Sequence, residues 1–324
     1  LKKGYEVVVV DSLINSSKIS LERVKNLNVN KNIYFYEGDI RDINFLDSIF
    51  KKYHKKNKPI KNVIHFAGLK SVEESLSTPI KYWENNVDGT IKLLKIMKKN
   101  NCKTIVFSSS ATIYGFSDKF LIDENSYINP INPYGTTKMV IEKFLNDIYK
   151  STYEDWRIIC LRYFNPIGAH ASGQIGEDPL GVANNIFPAL TRVASGQIEE
   201  LKIFGNDWPT KDGTCIRDYI HVMDLAEGHI SALEYLRRKG KNFSAINLGT
   251  GNGTSLLELL NVFQEANKIE IKHSTAPRRE GDVSRLVADN SLALKKLNWK
   301  PIRTLEQMCK DGWEWQKNNP KGYK

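Results

Sequence analysis

A doubly wound α/β fold, with a parallel sheet covered by helices and a smaller C-terminal domain beside it, is predicted by three features of the sequence. Short apolar runs alternate with longer stretches of helical period through the first half. The first of those runs closes on an acid, Asp11. Beyond about Pro166 the alternation gives way to loops rich in Gly, Pro and Asn, with short strands between them.

Taken in order, Leu1-Lys2-Lys3-Gly4 reads as the tail of a helix, basic in its last turn and ended by glycine. The β-branched run Val7-Val8-Val9-Val10 follows at once as a strand closed by Asp11. No initiator Met precedes it and the chain opens inside a helix. It is therefore expected to be N-terminally truncated, short of the first strand and the glycine turn of its sheet, on the order of 20 residues. Ile33–Tyr36, Val63–Ala67, Thr104–Phe107 and Ile158–Leu161 are the next strands. Between them Trp83, Val87, Ile91, Leu94 and Met97 recur at three and four, as do Ile141, Phe144, Leu145 and Ile148, which makes helices that cover a parallel sheet. Helical period returns around Phe187–Val193. The expected boundary lies between 165 and 166, with part of 215–250 returning to the first domain.

Composition narrows the function classes. The 324 residues are 41% hydrophobic and 26% charged, the usage of globular domains and enough chain for about two of them. No apolar run approaches the roughly 20 residues that span a bilayer, and no leader opens the chain, so no membrane partner is expected. Cys102, Cys160, Cys215 and Cys309 lack C-x-x-C spacing, which argues against disulfides or zinc and for reduced thiols in the cytoplasm. The net charge of +10 could serve a nucleic acid or an anionic small substrate. The one dense basic run, Lys51–Lys58, carries no nucleic-acid signature and is expected to be a solvated helix end.

Three segments carry chemistry. Asp11 ends a strand where doubly wound folds put the acid that accepts from the adenosine ribose of NAD, and a carboxylate there repels the phosphate of NADP. A simple strand-end cap is the alternative. Tyr134 and Lys138 form Y-x-x-x-K just after Asn132-Pro133, which marks a helix entry, so both side chains share one face. A phenol is a poor base at neutral pH, but a nearby ammonium favours the phenolate, so Lys138 is expected to lower the Tyr134 pKa. Ser108-Ser109-Ser110-Ala111-Thr112 supplies hydroxyls at a strand's carboxyl end, where ligands of such sheets bind.

With Phe107-Ser-Ser-Ser-Ala-Thr-Ile-Tyr-Gly115, Tyr134-Gly-Thr-Thr-Lys138, Arg162-Tyr-Phe-Asn165, Gly176-Glu-Asp-Pro179, Asp212-Gly-Thr214 and Arg217-Asp-Tyr-Ile-His-Val222 in place, the chain resembles the extended short-chain dehydrogenase/reductase family. More narrowly it resembles the UDP-glucose (UDP-galactose) 4-epimerase family, from Gly4 to about Tyr323. Phe204-Gly-Asn-Asp-Trp-Pro209 and Ala276-Pro-Arg-Arg-Glu-Gly-Asp282 extend the match. The resemblance implies Tyr134 as base, Lys138 as its activator and nicotinamide-ribose ligand, and Ser110 as the hydroxyl on the sugar O4. It implies NAD contacts at Asp11, Asp39, Ile40, Lys70, Asn86 and Tyr163. Asn165, Asn185, Arg217, Arg279 and Asp282 would hold UDP; Asn185 as a helix N-cap and Asp282 as a turn residue are the plainer alternatives.

The same resemblance implies a NAD domain over 1–165, a UDP-sugar domain over 166–324, and epimerisation through a 4-keto intermediate with no net use of NAD. It also implies a homodimer, since the helices around Trp83 and Tyr134 match those that pair in the family. Leu286 falls where the family varies between an aromatic and a small residue, so N-acetyl sugars are expected to be accepted slowly; a purely core Leu286 is the alternative. Two rivals stand. One is a nucleotide-sugar 4,6-dehydratase or decarboxylase on the same fold, of which a dehydratase would be expected to place an Asp-Glu pair where Ala111-Thr112 stand. A non-catalytic dinucleotide-binding protein would suit the expected truncation, under which NAD binding would be poor.

Overall fold

The computed structural model describes residues 1–29, 32–117, 119–151, 154–179, 185–279 and 281–324. The first half runs β1 (Val7–Asp11), α1 (Lys18–Leu27), β2 (Ile33–Glu37), α2 (Ile43–Lys55), β3 (Val63–His65), α3 (Val72–Ser77) and α4 (Pro79–Tyr82). A π-helical turn, Trp83–Asp88, then leads into α5 (Gly89–Lys99), β4 (Thr104–Ser110), a 3₁₀ turn at Ala111–Ile113, α6 (Pro133–Lys150) and β5 (Arg157–Tyr163). The second half holds β6 (Asn165–Ile167), α7 (Ile186–Ala194), β7 (Leu201–Phe204), β8 (Ile216–Arg217), β9 (Tyr219–His221), α8 (Val222–Arg238) and β10 (Asn242–Leu248). It ends with β11 (Thr254–Ser255), α9 (Leu256–Asn267), β12 (His273–Ala276), β13 (Arg285–Leu286), α10 (Ser291–Leu297) and α11 (Leu305–Asn318).

Every pairing among the first five strands is parallel, because a helix separates each from the next. One sheet has the order β10-β5-β4-β3, and β1 and β2 form a separate parallel ribbon; no described strand hydrogen-bonds the two. All seven residues of β4 are buried, as a strand covered on both faces requires. Its alternation splits the core. Ile105 and Phe107 join Leu46, Leu93, Met97 and Leu145 on one face, while Val106 joins Leu225, Leu233, Ile246 and Trp299 on the other. Each such side chain contributes about 1.5–3 kcal/mol by leaving water. A third core, with Phe187, Leu190, Ile203, Leu260, Phe263 and Met308, binds α7, α9 and α11 together.

The expected helix tail at the N-terminus is corrected. Leu1–Gly4 forms a turn, closed by the Gly4 N–H on the Leu1 carbonyl at 2.9 Å with Gly4 at φ +78°, since four residues cannot build an i to i−4 ladder. The basic run is the solvated end of α2, with every lysine from Lys51 to Lys58 exposed and Tyr53 alone turned inward. The four cysteines are free and buried. No described helix is long and apolar enough to cross a membrane.

Candidate active site at the carboxyl ends of the strands

Parallel pairing puts Ser108–Ser110 and Tyr163 at one edge of the sheet, with Lys70 in the loop after β3, while in the β1-β2 ribbon Asp11 ends β1 and Asp39-Ile40 follow β2. Asp11 Oδ1 accepts the Leu13 N–H and the Ser16 hydroxyl, both at 2.7 Å, which fixes the turn leaving β1. Asp39 is gripped by Arg41 through Nε at 3.0 Å and Nη2 at 2.6 Å, and this side-chain bond holds its carboxyl below the usual range. Ile40 packs so closely on Gly89 that a Cβ there would lie 2.8 Å from its Cδ1.

Asn86 lies in the π-helical turn and is fully buried. Its Oδ1 accepts the Leu69 N–H at 2.8 Å, and its Nδ2 donates to the Leu69 carbonyl and Thr137 Oγ1, each at 3.1 Å. That amide ties the loop carrying Lys70 to the helix carrying Tyr134.

Helix α6 begins where the sequence marks it. Asn132 accepts the Gly135 N–H at 2.8 Å and Pro133 occupies the first turn, so Tyr134 and Lys138 face the sheet one turn apart. Both are buried, at 7% and 5% exposure. Lys138 Nζ donates to the Ser108 carbonyl at 2.8 Å and lies 4.9 Å over the Phe107 ring and 5.7 Å over the Tyr134 ring. Ser110 Oγ accepts from Thr112 Oγ1 at 2.9 Å, and the Ser108 and Tyr163 hydroxyls share a hydrogen bond.

Electrostatics correct one expectation. Burial pushes the Tyr134 phenol well above its ordinary value, Tyr163 and Tyr82 add to this, and only the Ser110 hydroxyl pulls it back. Burial also lowers Lys138 to about 8, with Glu142 opposing. The ammonium therefore does not overcome desolvation of the phenol in the protein alone.

The second group of residues is looser. Arg217 Nη1 donates to the Val283 carbonyl at 2.7 Å, and its Nη2 lies 3.4 Å from Asp282 Oδ1. Arg279 stacks 3.8 Å over Phe204. Asn165 opens β6, its N–H on the Asp218 carbonyl at 3.0 Å. Asn185 stands at the N-cap position of α7 without capping it, its amide 3.4 Å from Glu177 Oε1. Leu286 pairs with Arg217 in register and packs on the cluster of Ala111, Ile113 and Tyr114, so the strand of the second group abuts the turn that follows Ser110. Glu280 of the Ala276–Asp282 motif lies outside the described residues.

Two features escaped the sequence reading. Glu177 accepts from Lys70 Nζ at 3.0 Å, joining the two groups across 107 positions of sequence. Glu142, Arg162 and Ser109 form a buried polar cluster behind Lys138. Glu142 stands eight residues after Tyr134 on the same helix face, the signal that could have found it.

A family model described as GDP-mannose 4,6 dehydratase matches residues 1–312. A UDP-glucose 4-epimerase of Bacillus subtilis is 48% identical over 325 residues, covering 100% of this chain and 93% of the relative. Among solved structures, a UDP-glucose 4-epimerase of Stenotrophomonas maltophila with bound NAD and formylated UDP-arabinopyranose matches at TM-score 0.94 and 42% identity, over 98% of this chain and 93% of that one. The enzyme from Bifidobacterium longum in complex with NAD+ and UDP matches at TM-score 0.93 and 43% identity, over 99% and 93%.

Proposed function

The chain belongs to the UDP-glucose 4-epimerase family of extended short-chain dehydrogenases/reductases, and from that membership we propose a role for each residue of the site. The reaction is the NAD-dependent interconversion of UDP-glucose and UDP-galactose. The observation that carries the assignment is the burial of Tyr134 and Lys138 on one face of α6, against the strand end that carries Ser110.

The residues fit NAD. Asp11 presents a half-exposed carboxylate at the end of β1, an acceptor for a ribose diol and a repellent for the NADP phosphate. Asp39, Ile40, Lys70, Asn86 and Tyr163 would line the rest of that edge, Asn86 by holding the Lys70 loop. When bound, NAD supplies the acceptor and donor of the C4 hydride, so the sugar passes through a 4-keto intermediate. Tyr134 Oη takes the proton of the sugar 4-hydroxyl and returns it, and Ser110 holds O4. Lys138 supplies positive charge beside the phenol and reaches the nicotinamide ribose. Arg217 and Arg279 grip the diphosphate, Asn165 and Asn185 donate to UDP, and Asp282 accepts from the uridine ribose. UDP stays clamped while the sugar turns over.

The dehydratase reading is disfavoured by Ala111 and Thr112 after Ser110, where elimination of water would need acids. Residues 1–165 are read as the NAD domain and 166–324 as the UDP-sugar domain. Part of 215–250 returns to the first, a division supported by β10 pairing with β5. A homodimer is supported by Leu76, Ile80 and Trp83, exposed at 50%, 74% and 40% on the helical face beside α6. A cytoplasmic home is supported by four free thiols.

The test is turnover of UDP-galactose by the NAD-loaded protein and its Tyr134→Phe variant. Native conversion with a variant that binds UDP but does not turn over supports the reading; no conversion by the native protein overturns it. A monomer by light scattering at micromolar concentration would remove the dimer.

A further inference from the structure

We propose that Glu142 is a positioning residue of the reaction: with Ser109 and Arg162 it fixes α6 in register on β4 and β5, and it holds a buried carboxylate one helical turn beyond Lys138. The proposal rests on the Tyr134–Lys138 reading above.

Two consecutive residues of β4 are each held by α6. Lys138 donates to the Ser108 carbonyl at 2.8 Å and Glu142 Oε1 accepts the Ser109 hydroxyl at 2.5 Å, while Tyr134, one turn before Lys138, is buried toward the strand end that carries Ser110. The strand pairing carries the same register to β5, where Ser109 faces Arg162 and Ser110 faces Tyr163. Arg162 closes on Glu142 through Nε at 3.0 and 3.2 Å and Nη2 at 2.6 Å, then donates Nη1 to Tyr114 Oη at 3.0 Å and the Glu124 carbonyl at 3.1 Å. Glu142 and Arg162 are 5% and 4% exposed. A buried pair of this kind seldom adds stability over apolar residues of the same volume, so its use lies in fixing one arrangement. A displacement of α6 by one turn would break both contacts with β4 at once.

The charge balance around Lys138 points the same way. On its own helix stand Tyr134 and Glu142; from β5 come Arg162 and Tyr163, from β3 His65, from α4 Tyr82, and from the turn after β4 Tyr114. His65 is kept neutral by burial, and the tyrosines are protonated at neutral pH. Glu74 of α3 and Asp88 of the π-helical turn are paired with Lys81 and Lys92. β10 contributes Asn247, whose amide meets Tyr114 and whose N–H holds the Glu124 carboxyl, which burial pushes above its ordinary value. Glu142 is thus the carboxylate that opposes the desolvation of Lys138, and losing it leaves Arg162 as an uncompensated cation nearby.

The experiment measures kcat, KM and the pH profile of the NAD-loaded enzyme and its Glu142→Gln variant with UDP-galactose. The expected result is a kcat lower by on the order of 10-fold or more at pH 8, with KM within about two-fold. The alkaline limb of kcat is expected to move toward neutral by about one pH unit or more, because an ammonium with less negative charge beside it deprotonates sooner. A lower melting temperature with kcat and the alkaline limb unmoved would make Glu142 merely structural and overturn the proposal. Where Glu142→Gln does not fold, Glu142→Gln with Arg162→Gln removes both charges, and the limb is expected to move in the same direction; an unmoved limb there overturns the proposal equally. Tyr134→Phe is run beside them. Retained turnover in that variant refutes the base assignment, whereas an unmoved limb with Tyr134→Phe inactive refutes only the role of Glu142.

Discussion

The two halves of the site are built differently. Around α6, β4 and β5 the polar side chains assigned to the reaction are buried or half-buried, and all but Tyr134 are already held: Lys138 on a carbonyl, Ser110 on Thr112, Tyr163 on Ser108, Asn86 on Leu69 and Thr137. Around α7, β8 and β13 the candidates stand on short strands and loops, with Asp282 and Glu177 about one third exposed, Asp282 met by Arg217 at 3.4 Å and Glu177 by Lys70 and Asn185. Chemistry at one atom needs preorganised groups that cost no rearrangement during the reaction. A clamp on a long diphosphate needs reach and the ability to admit and release its ligand, which loops supply.

That contrast is broken most directly at Tyr134. Tyr134→Phe removes one oxygen from the buried half, and kcat is expected to fall by on the order of 100-fold or more while UDP binding persists. Calorimetric titration with UDP beside a turnover assay separates the two; near-normal turnover would show that the buried half does not hold the base.

Arg217→Gln strikes the other half. Its guanidinium donates to Val283 and lies near Asp282, so the variant is expected to lose about 10- to 100-fold in UDP affinity, the worth of one or two charge-assisted hydrogen bonds, with kcat at saturation nearly kept. A fall in kcat with unchanged affinity would merge the two halves.

Acid sensitivity sharpens the comparison through stability. His65, hydrogen-bonded to Thr90 behind Lys138, is pushed by burial to about 3, and His229 to about 4. Both folded values lie below the ordinary 6.5, so the unfolded chain binds more protons and stability is lost as pH falls below about 6.5. At pH 5 each costs about 2 kcal/mol. Arg278 and Asp207 form an exposed pair on the substrate side, where salt bridges contribute little. Thermal melts from pH 7 to 5 are expected to flatten in His65→Gln and to keep the native slope in Asp207→Asn. Equal slopes in all three proteins would place the acid-sensitive groups elsewhere.

The buried half was also the more legible in the sequence, for a physical reason. The parallel strands of the sheet read as apolar runs, and an Asn-Pro entry fixes the phase of α6, so Asp11, Ser110, Tyr134 and Lys138 follow from local rules. What escaped is long-range. Glu142 meets Arg162 and Ser109 only once α6 lies on β4 and β5, and Glu177 meets Lys70 only when a loop folds back over the sheet edge. The phenol's raised pKa escaped too, because spacing on a helix reports proximity of a charge and says nothing of how much water is excluded.

The smallest expected effect lies where the halves touch. Leu286 belongs to β13 of the substrate side yet packs on Ala111, Ile113 and Tyr114, the turn that follows Ser110. A side chain there stands at the boundary between the strand end and the second group of residues, and on the proposed reading its bulk bears on the substituent carried by the sugar. Leucine is flexible enough to yield partly, so UDP-glucose and UDP-galactose are expected to be preferred over their N-acetyl counterparts by several-fold, about 1 kcal/mol. Leu286→Tyr fills more of that volume and is expected to widen the preference by lowering kcat/KM for the N-acetyl sugars alone. Comparison of kcat/KM for both sugar classes in the native and variant enzymes decides it. An unchanged ratio would make Leu286 a packing residue of the boundary and leave sugar selection to the loops.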